Sequence, residues 1–191
     1  DIAYTNKDGD EFIAYTMIGA VQKNVGSVNE DFSFTNDIIT NRIITVTKSG
    51  NNISDYNDLS GKKLAVVTDI AKAALDKNST IKNNNKNTLY PTIEDALSAL
   101  DNGSVDAVIT DEFNFSPLEN AEKYQVLNGE LDKISYAFMF KKGDWVVENW
   151  NEAIYELKSP DYNDKDEFTP MVEKYFGYNA SSFDYVPSKT K

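Results

Sequence analysis

The chain has 191 residues, 40% of them hydrophobic and 26% charged, with no cysteine, no histidine and a formal net charge of −12. That length and apolar content suffice for a buried core and exclude a chain disordered throughout. Without cysteine or histidine there is no disulfide, no thiolate nucleophile, no imidazole base and no Cys- or His-based metal site. The acidic balance, with Arg42 as the single arginine, argues against nucleic acid and anionic lipid, which are bound through clustered Lys and Arg.

No run approaches the roughly 18 apolar residues of a membrane span, so direct insertion of this segment into a membrane is not expected. No basic-plus-apolar leader stands before Asp1. The expectation is an extracellular or periplasmic protein whose signal or anchor lies in a part not included here, and the absence of cysteine leans the same way.

In chain order, Asp10 to Ile18 (DEFIAYTMI) reads as a buried strand and Arg42 to Thr47 (RIITVT) as a second, by its β-branched content. Lys48 to Ser60 reads as a loop, Lys62 to Thr68 (KKLAVVT) as a third strand, and Ile70 to Leu75 as a short helical segment. The asparagine-rich tract Asn78 to Asn87 (NSTIKNNNKN) offers few side chains worth burying and reads as an exposed connection.

Pro91-Thr92 then introduces Thr-x-x-Asp, with Ile93, Ala96, Leu97 and Leu100 on one helical face and Gly103 at the expected C-cap. Val105 to Thr110 (VDAVIT) reads as a strand ending at Asp111. Strand, helix, strand in that order implies a right-handed parallel crossover, and in such sheets ligands sit beyond the carboxyl ends of the strands. Tyr124 to Leu127 and Ile134 to Lys141 (ISYAFMFK) read as further strands. A helix follows Lys142-Gly143-Asp144, with Val146, Val147, Trp150, Ile154 and Leu157 at helical spacing. A last amphipathic segment spans Met171 to Phe176, and the tail to Lys191 reads as polar and loosely held.

The runs DLSGKKLAVVTD, PTIEDALSALDNGSVDAVITD and FMFKKGD, followed by a helix and EKYFG, resemble in collinear order the family 3 extracellular solute-binding proteins of ABC transporters. GDEFIAYTMIG and DFSFTNDII resemble that family's upstream strand and the segment leading into its first crossing between lobes. The resemblance implies a two-lobed α/β fold of the type II periplasmic-binding-protein kind. It places lobe 1 at residues 1–46 and 134–191, incomplete at its N-terminus, and lobe 2 at 47–133, with a hinge of two crossings and ligand captured by closure.

In amino-acid-binding members an arginine clamps the ligand's α-carboxylate, a Gly-Ser/Thr-Thr turn adds donors, and an aspartate ending a lobe 2 strand receives the α-ammonium. Here Asp111 matches the aspartate, Asp69-Ile70-Ala71 replaces the turn, and Lys23 stands near the arginine's place. Lysine offers a point charge where arginine offers two parallel hydrogen bonds. The candidate ligand contacts are therefore Asp111, Asp69, Lys23 and the aromatic residues Tyr15 and Phe34, with Tyr136 and Phe138 as further aromatic candidates.

Each has a structural alternative: a helix N-cap for Asp111 and for Asp69, a surface lysine for Lys23, and core packing for the aromatic residues. Two motifs are set aside. DGDEF at Asp8 to Phe12 lacks the first glycine of the cyclase signature it resembles, and the acidic stretch Asp161 to Glu167 has Asp166 where a calcium loop needs glycine.

No catalytic residue, cofactor or metal site is expected. Three readings remain. The first is a transporter's substrate-binding protein, taking a small polar solute, amino acid or amine, to a membrane permease. The second is the ligand-sensing ectodomain of a membrane signalling receptor, a histidine kinase or cyclic-dinucleotide protein. A dehydratase-like enzyme on the same fold is the most remote.

Overall fold

Short apolar and β-branched runs become strands in the computed structural model, which describes residues 2–5, 11–14, 16–23, 28–116, 118, 120–161 and 165–176. The run DEFIAYTMI, expected as one strand, is divided: β1 (Ile2–Thr5) pairs antiparallel with β2 (Glu11–Ala14), and β3 (Thr16–Gln22) joins a different partner. An apolar run specifies that a segment pairs, but the partner strand decides where pairing begins and stops. A single helical turn, α1 (Val28–Asp31), then leads into β4 (Phe32–Phe34).

The chain forms two compact units, one from Asp1–Thr40 and Ile134–Tyr175, the other from Asn41–Lys133. The backbone therefore passes from the first to the second after Thr40 and returns after Lys133.

The second unit holds β5 (Ile39–Lys48), β6 (Lys63–Val66), α2 (Asp69–Lys77), α3 (Ser79–Asn84), β7 (Lys86–Leu89), α4 (Ile93–Asp101), β8 (Ala107–Asp111), α5 (Glu112–Phe115) and β9 (Tyr124–Val126). Central β6 is parallel to β7 on one side and to β8 on the other. On the far side of β8, β5 runs antiparallel to it, and β9 adds to the end of β5.

Thr92 starts α4 as its sequence foretells. Its hydroxyl accepts from the Asp95 N–H at 3.1 Å, and Gly103, at φ +79°, takes the left-handed turn after the helix. The face so set buries Ile93, Ala96, Leu97 and Leu100 against Ile44, Val46, Ala65 and Val108 of the sheet. Each buried Leu or Ile contributes about 1.5–3 kcal/mol. On α2, Ala71, Ala74 and Leu75 are buried as well, as are Leu64, Val66 and Ile109, the residues that alternate with the α4-facing ones along β6 and β8.

The asparagine tract is not a bare connection. Asn78 caps α3 by accepting from the Ile81 N–H at 3.1 Å, and Ile81 is buried. The Asn85 side chain donates to the Ile81 carbonyl at 2.7 Å and accepts from the Lys62 N–H at 2.9 Å. Beyond it β7 exists through its ladder with β6 although all four of its side chains are exposed. Side-chain amides supply the caps and the neighbouring strand supplies the pairing, so few apolar residues are needed.

In the first unit β10 (Asp132–Lys141) is the pivot: β3 and β4 both pair with it antiparallel, with Tyr136 opposite Gln22 and Met139 opposite Phe34. The helix α6 (Val146–Lys158) sets Trp150 edge-on to Phe138, ring centroids 5.1 Å apart, and tilted over Phe140 at 6.1 Å. A final helix, α7 (Phe168–Phe176), buries Phe168 and Val172. Among the described residues no helix is long and apolar enough to cross a membrane.

Candidate functional site

Because β6 and β8 are parallel neighbours, their carboxyl ends emerge at one edge of the sheet, the edge at which open α/β sheets bind ligands. Asp69 follows β6 there and Asp111 ends β8. The antiparallel β5 brings its first residues to the same edge, Ile43 lying opposite Asp111.

Asp111 is only 2% exposed. Its Oδ1 accepts from Asn41 Nδ2 at 3.1 Å and from the Asn114 N–H at 3.2 Å, while Oδ2 accepts from Asn114 Nδ2 at 2.7 Å. Asn41 also accepts from the Phe113 N–H at 3.3 Å through Oδ1. The carboxylate thus caps α5, as its structural alternative foresaw, and buried charge is tolerated because it is bonded on both oxygens. A carboxylate offers about four acceptor sites, so Oδ2 retains capacity for one more donor.

The next residue is held in the same way. Glu112 is buried, and Arg42 grips it bidentately, Nε to Oε2 at 3.0 Å and a terminal nitrogen to Oε1 at 2.5 Å. Hydrogen bonding to Glu112 pushes the guanidinium pKa above its ordinary value against the opposing effect of burial, and the charges of Glu112 and Glu130 add to it. Two consecutive residues of β5, Asn41 and Arg42, therefore fix two consecutive acids, Asp111 and Glu112.

Asp69 is different. It is exposed in the first turn of α2, and the cap is Thr68, whose hydroxyl accepts from the Ala71 N–H at 3.2 Å. The expectation of a cap at Asp69 is thus off by one residue, since Thr68 is the last extended residue and its hydroxyl already fills the position.

In the first unit the Lys23 ammonium donates to Asp37 Oδ1 at 2.8 Å and to the Thr35 carbonyl at 3.1 Å. Burial alone would raise the Asp37 pKa, but hydrogen bonds from Lys23 and Ser135 and the charges of Lys23 and Lys158 together hold it below the usual carboxylate value. Lys23 is accordingly neither a free surface lysine nor an open carboxylate clamp. A cavity of about 570 Å³ in this unit is bordered by Lys23, Phe32, Phe34, Asp144, Trp145 and Glu148, among others.

Of the residues singled out in the sequence, Asp111 and Asp69 share one sheet edge, Lys23 and Phe34 share one cavity, and Tyr15 lies outside the described residues. Phe138 packs on Trp150. Sequence reasoning missed Asn41, Asn114 and Asp37. Only Asn114 carries a local signal, three residues after Asp111 in a capping arrangement. Among the described residues no group of three or more acids is placed to hold a metal ion.

No protein-family model and no curated protein matches the chain. Solved structures do. The second substrate-binding domain of a protein assigned as an amino acid ABC transporter, from Streptococcus pneumoniae, is similar at 25% identity and TM-score 0.64, over 85% of this chain and 73% of that one. A polar amino acid ABC uptake transporter substrate-binding protein from Streptococcus thermophilus is similar at 18% identity and TM-score 0.66, over 93% and 82%. An ABC uptake transporter substrate-binding protein from Streptococcus pneumoniae, with bound histidine, gives 21% identity and TM-score 0.57 over 93% and 88%. The fold of the chain is that of these binding proteins.

Proposed function

Because the chain has the fold of the substrate-binding proteins of amino acid ABC transporters, we propose that it captures a small polar, amine-bearing solute outside the cell. It binds this solute and releases it unchanged to a membrane permease. The observation that carries the solute class is Asp111: a buried carboxylate at the ligand-binding edge of a parallel sheet, held by two asparagine side chains and a backbone N–H, with acceptor capacity left on Oδ2. An ammonium donor meeting that oxygen forms a charge-assisted hydrogen bond. Asp69 at the same edge adds negative potential, and the net charge of −12 draws cations from solution.

The carboxylate half of an amino acid is less well served. The positions that resemble the family's donors offer Asp69-Ile70-Ala71 in place of hydroxyls, and Lys23 is already paired with Asp37. Burying a carboxylate without donors is costly.

Transport is preferred over receptor sensing because the similar structures described above are transporter binding proteins. An enzyme is not favoured, since the similar structures described above are binding proteins. Native mass spectrometry of protein purified from its source tests the reading. A co-purified amine, recovered unaltered, supports it; chemical conversion of the bound molecule by the pure protein overturns it.

A further inference from the structure

We propose that Asn114 is a specificity-determining ligand contact: its amide oxygen stands beside Asp111 Oδ2 as a second acceptor, and the two together select a primary ammonium over an N-methylated one. This role rests on the amine-binding reading above and deepens it, and every residue in it belongs to the second unit.

A carboxylate oxygen offers about two acceptor sites. Asp111 Oδ1 has filled both, with Asn41 Nδ2 at 3.1 Å and the Asn114 N–H at 3.2 Å. Oδ2 has filled one, with Asn114 Nδ2 at 2.7 Å. The open site is therefore on the oxygen that the Asn114 side chain already holds. Asn41 is 2% exposed and is itself tied to the Phe113 N–H, so protein closes that side of the carboxylate. Asn114 is exposed, and a solute reaches Oδ2 past its side chain.

A carboxylate only accepts, so the NH2 end of the Asn114 amide must be the end that faces Asp111. Among the described residues nothing donates to the other end, the amide oxygen. That oxygen lies about 2.3 Å from Nδ2 by standard amide dimensions, which puts it within about 5 Å of Oδ2. Two N–H···O bonds of about 2.9 Å leaving one tetrahedral nitrogen span about 4.7 Å, so a single ammonium bridges the two oxygens. The turn that carries Asn114 is fixed beforehand: Glu112 is gripped by Arg42 through both oxygens, and Phe115 is buried. An acceptor pair set in advance spares the cost of ordering it on binding. A primary ammonium has three donors and satisfies both acceptors. A tertiary ammonium has a single N–H and satisfies one, and a quaternary ammonium satisfies neither.

Calorimetry with putrescine and N,N,N′,N′-tetramethylputrescine, which share charge and chain length, tests this. The wild-type protein is expected to bind putrescine at least about tenfold more tightly, the worth of one charge-assisted hydrogen bond. Asn114→Ala keeps the backbone N–H that caps Asp111 and removes the amide oxygen. Putrescine affinity is expected to fall by about tenfold and tetramethylputrescine affinity to stay within about threefold, so the preference disappears. Methylation also changes size and hydration, but equally in both proteins, so the change in preference isolates the second acceptor. If Asn114→Ala does not fold, Asn114→Ser, too short to reach the same place, carries the comparison. A preference that persists in the folded variant, whether or not both affinities fall, overturns Asn114 as a contact and leaves the amine reading standing. Equal binding of the two compounds by the wild type does the same. If the wild type binds neither, the amine reading falls and the role of Asn114 with it.

Discussion

Asn41 and Asp111, seventy positions apart in sequence, are joined by a buried 3.1 Å hydrogen bond from the amide of one to the carboxylate of the other. Both are 2% exposed. The start of one strand therefore fixes the acid that ends its neighbour, and the acid in turn fixes the first turn of α5.

Asn41→Ala removes that donor and leaves a buried carboxylate short of one bond. Hydrogen bonds to charged groups are worth about 1.5–3 kcal/mol, so urea denaturation is expected to show a loss of that size with an unchanged denaturant slope. A loss under about 0.5 kcal/mol would mean that Asn41 does not support Asp111.

Arg42→Lys keeps the charge beside Glu112 but cannot reproduce the two parallel hydrogen bonds. A loss of about 1–2 kcal/mol is expected, and Arg42→Ala should cost more because Glu112 is then buried without its partner. Equal stability of the lysine variant and the wild type would show that the fork geometry is immaterial.

The Asp37 carboxyl has a folded pKa below its ordinary value of 3.8. Protons therefore bind the unfolded chain first, so the stabilisation is fully present above about pH 4 and is lost as pH falls through the lower folded value. The stability gap between wild type and Asp37→Asn should narrow as pH falls from about 4 toward about 2. A gap independent of pH across that range would remove the ion pair from the account.

Thr92→Ala deletes the α4 cap, and a loss of about 1 kcal/mol is expected. Hydrogen exchange adds a regional test: amides of β6 and β8, central in the ladder and buried, should be better protected than those of the exposed edge strand β7.

Legibility in the sequence followed how local each signal is. Helix α4 is written out by Thr92, by four apolar residues at helical spacing and by Gly103, all within twelve positions. Strand β7 is not written locally, because Lys86, Asn87, Thr88 and Leu89 are exposed and the strand depends on pairing with Lys63 to Val66. The same division holds at the site. Asp111 at a strand end is a local pattern for a helix cap, and it caps α5. Its bond to Asn41 and the pairing of Lys23 with Asp37 arise only when separate segments meet. Thr68 was passed over because Thr and Asp stand side by side and either can cap; the backbone of the last extended residue decides.

Asp111 is the residue proposed to receive the solute's amine. Calorimetry of the wild type and of Asp111→Asn with agmatine tests it most directly, since the substitution keeps the shape and removes the charge. Circular dichroism and a urea midpoint confirm that the variant is folded. Measurable agmatine binding is expected, weakening with added salt and falling by about 1–3 kcal/mol in the variant. Agmatine affinity unchanged in a folded Asp111→Asn protein would contradict it.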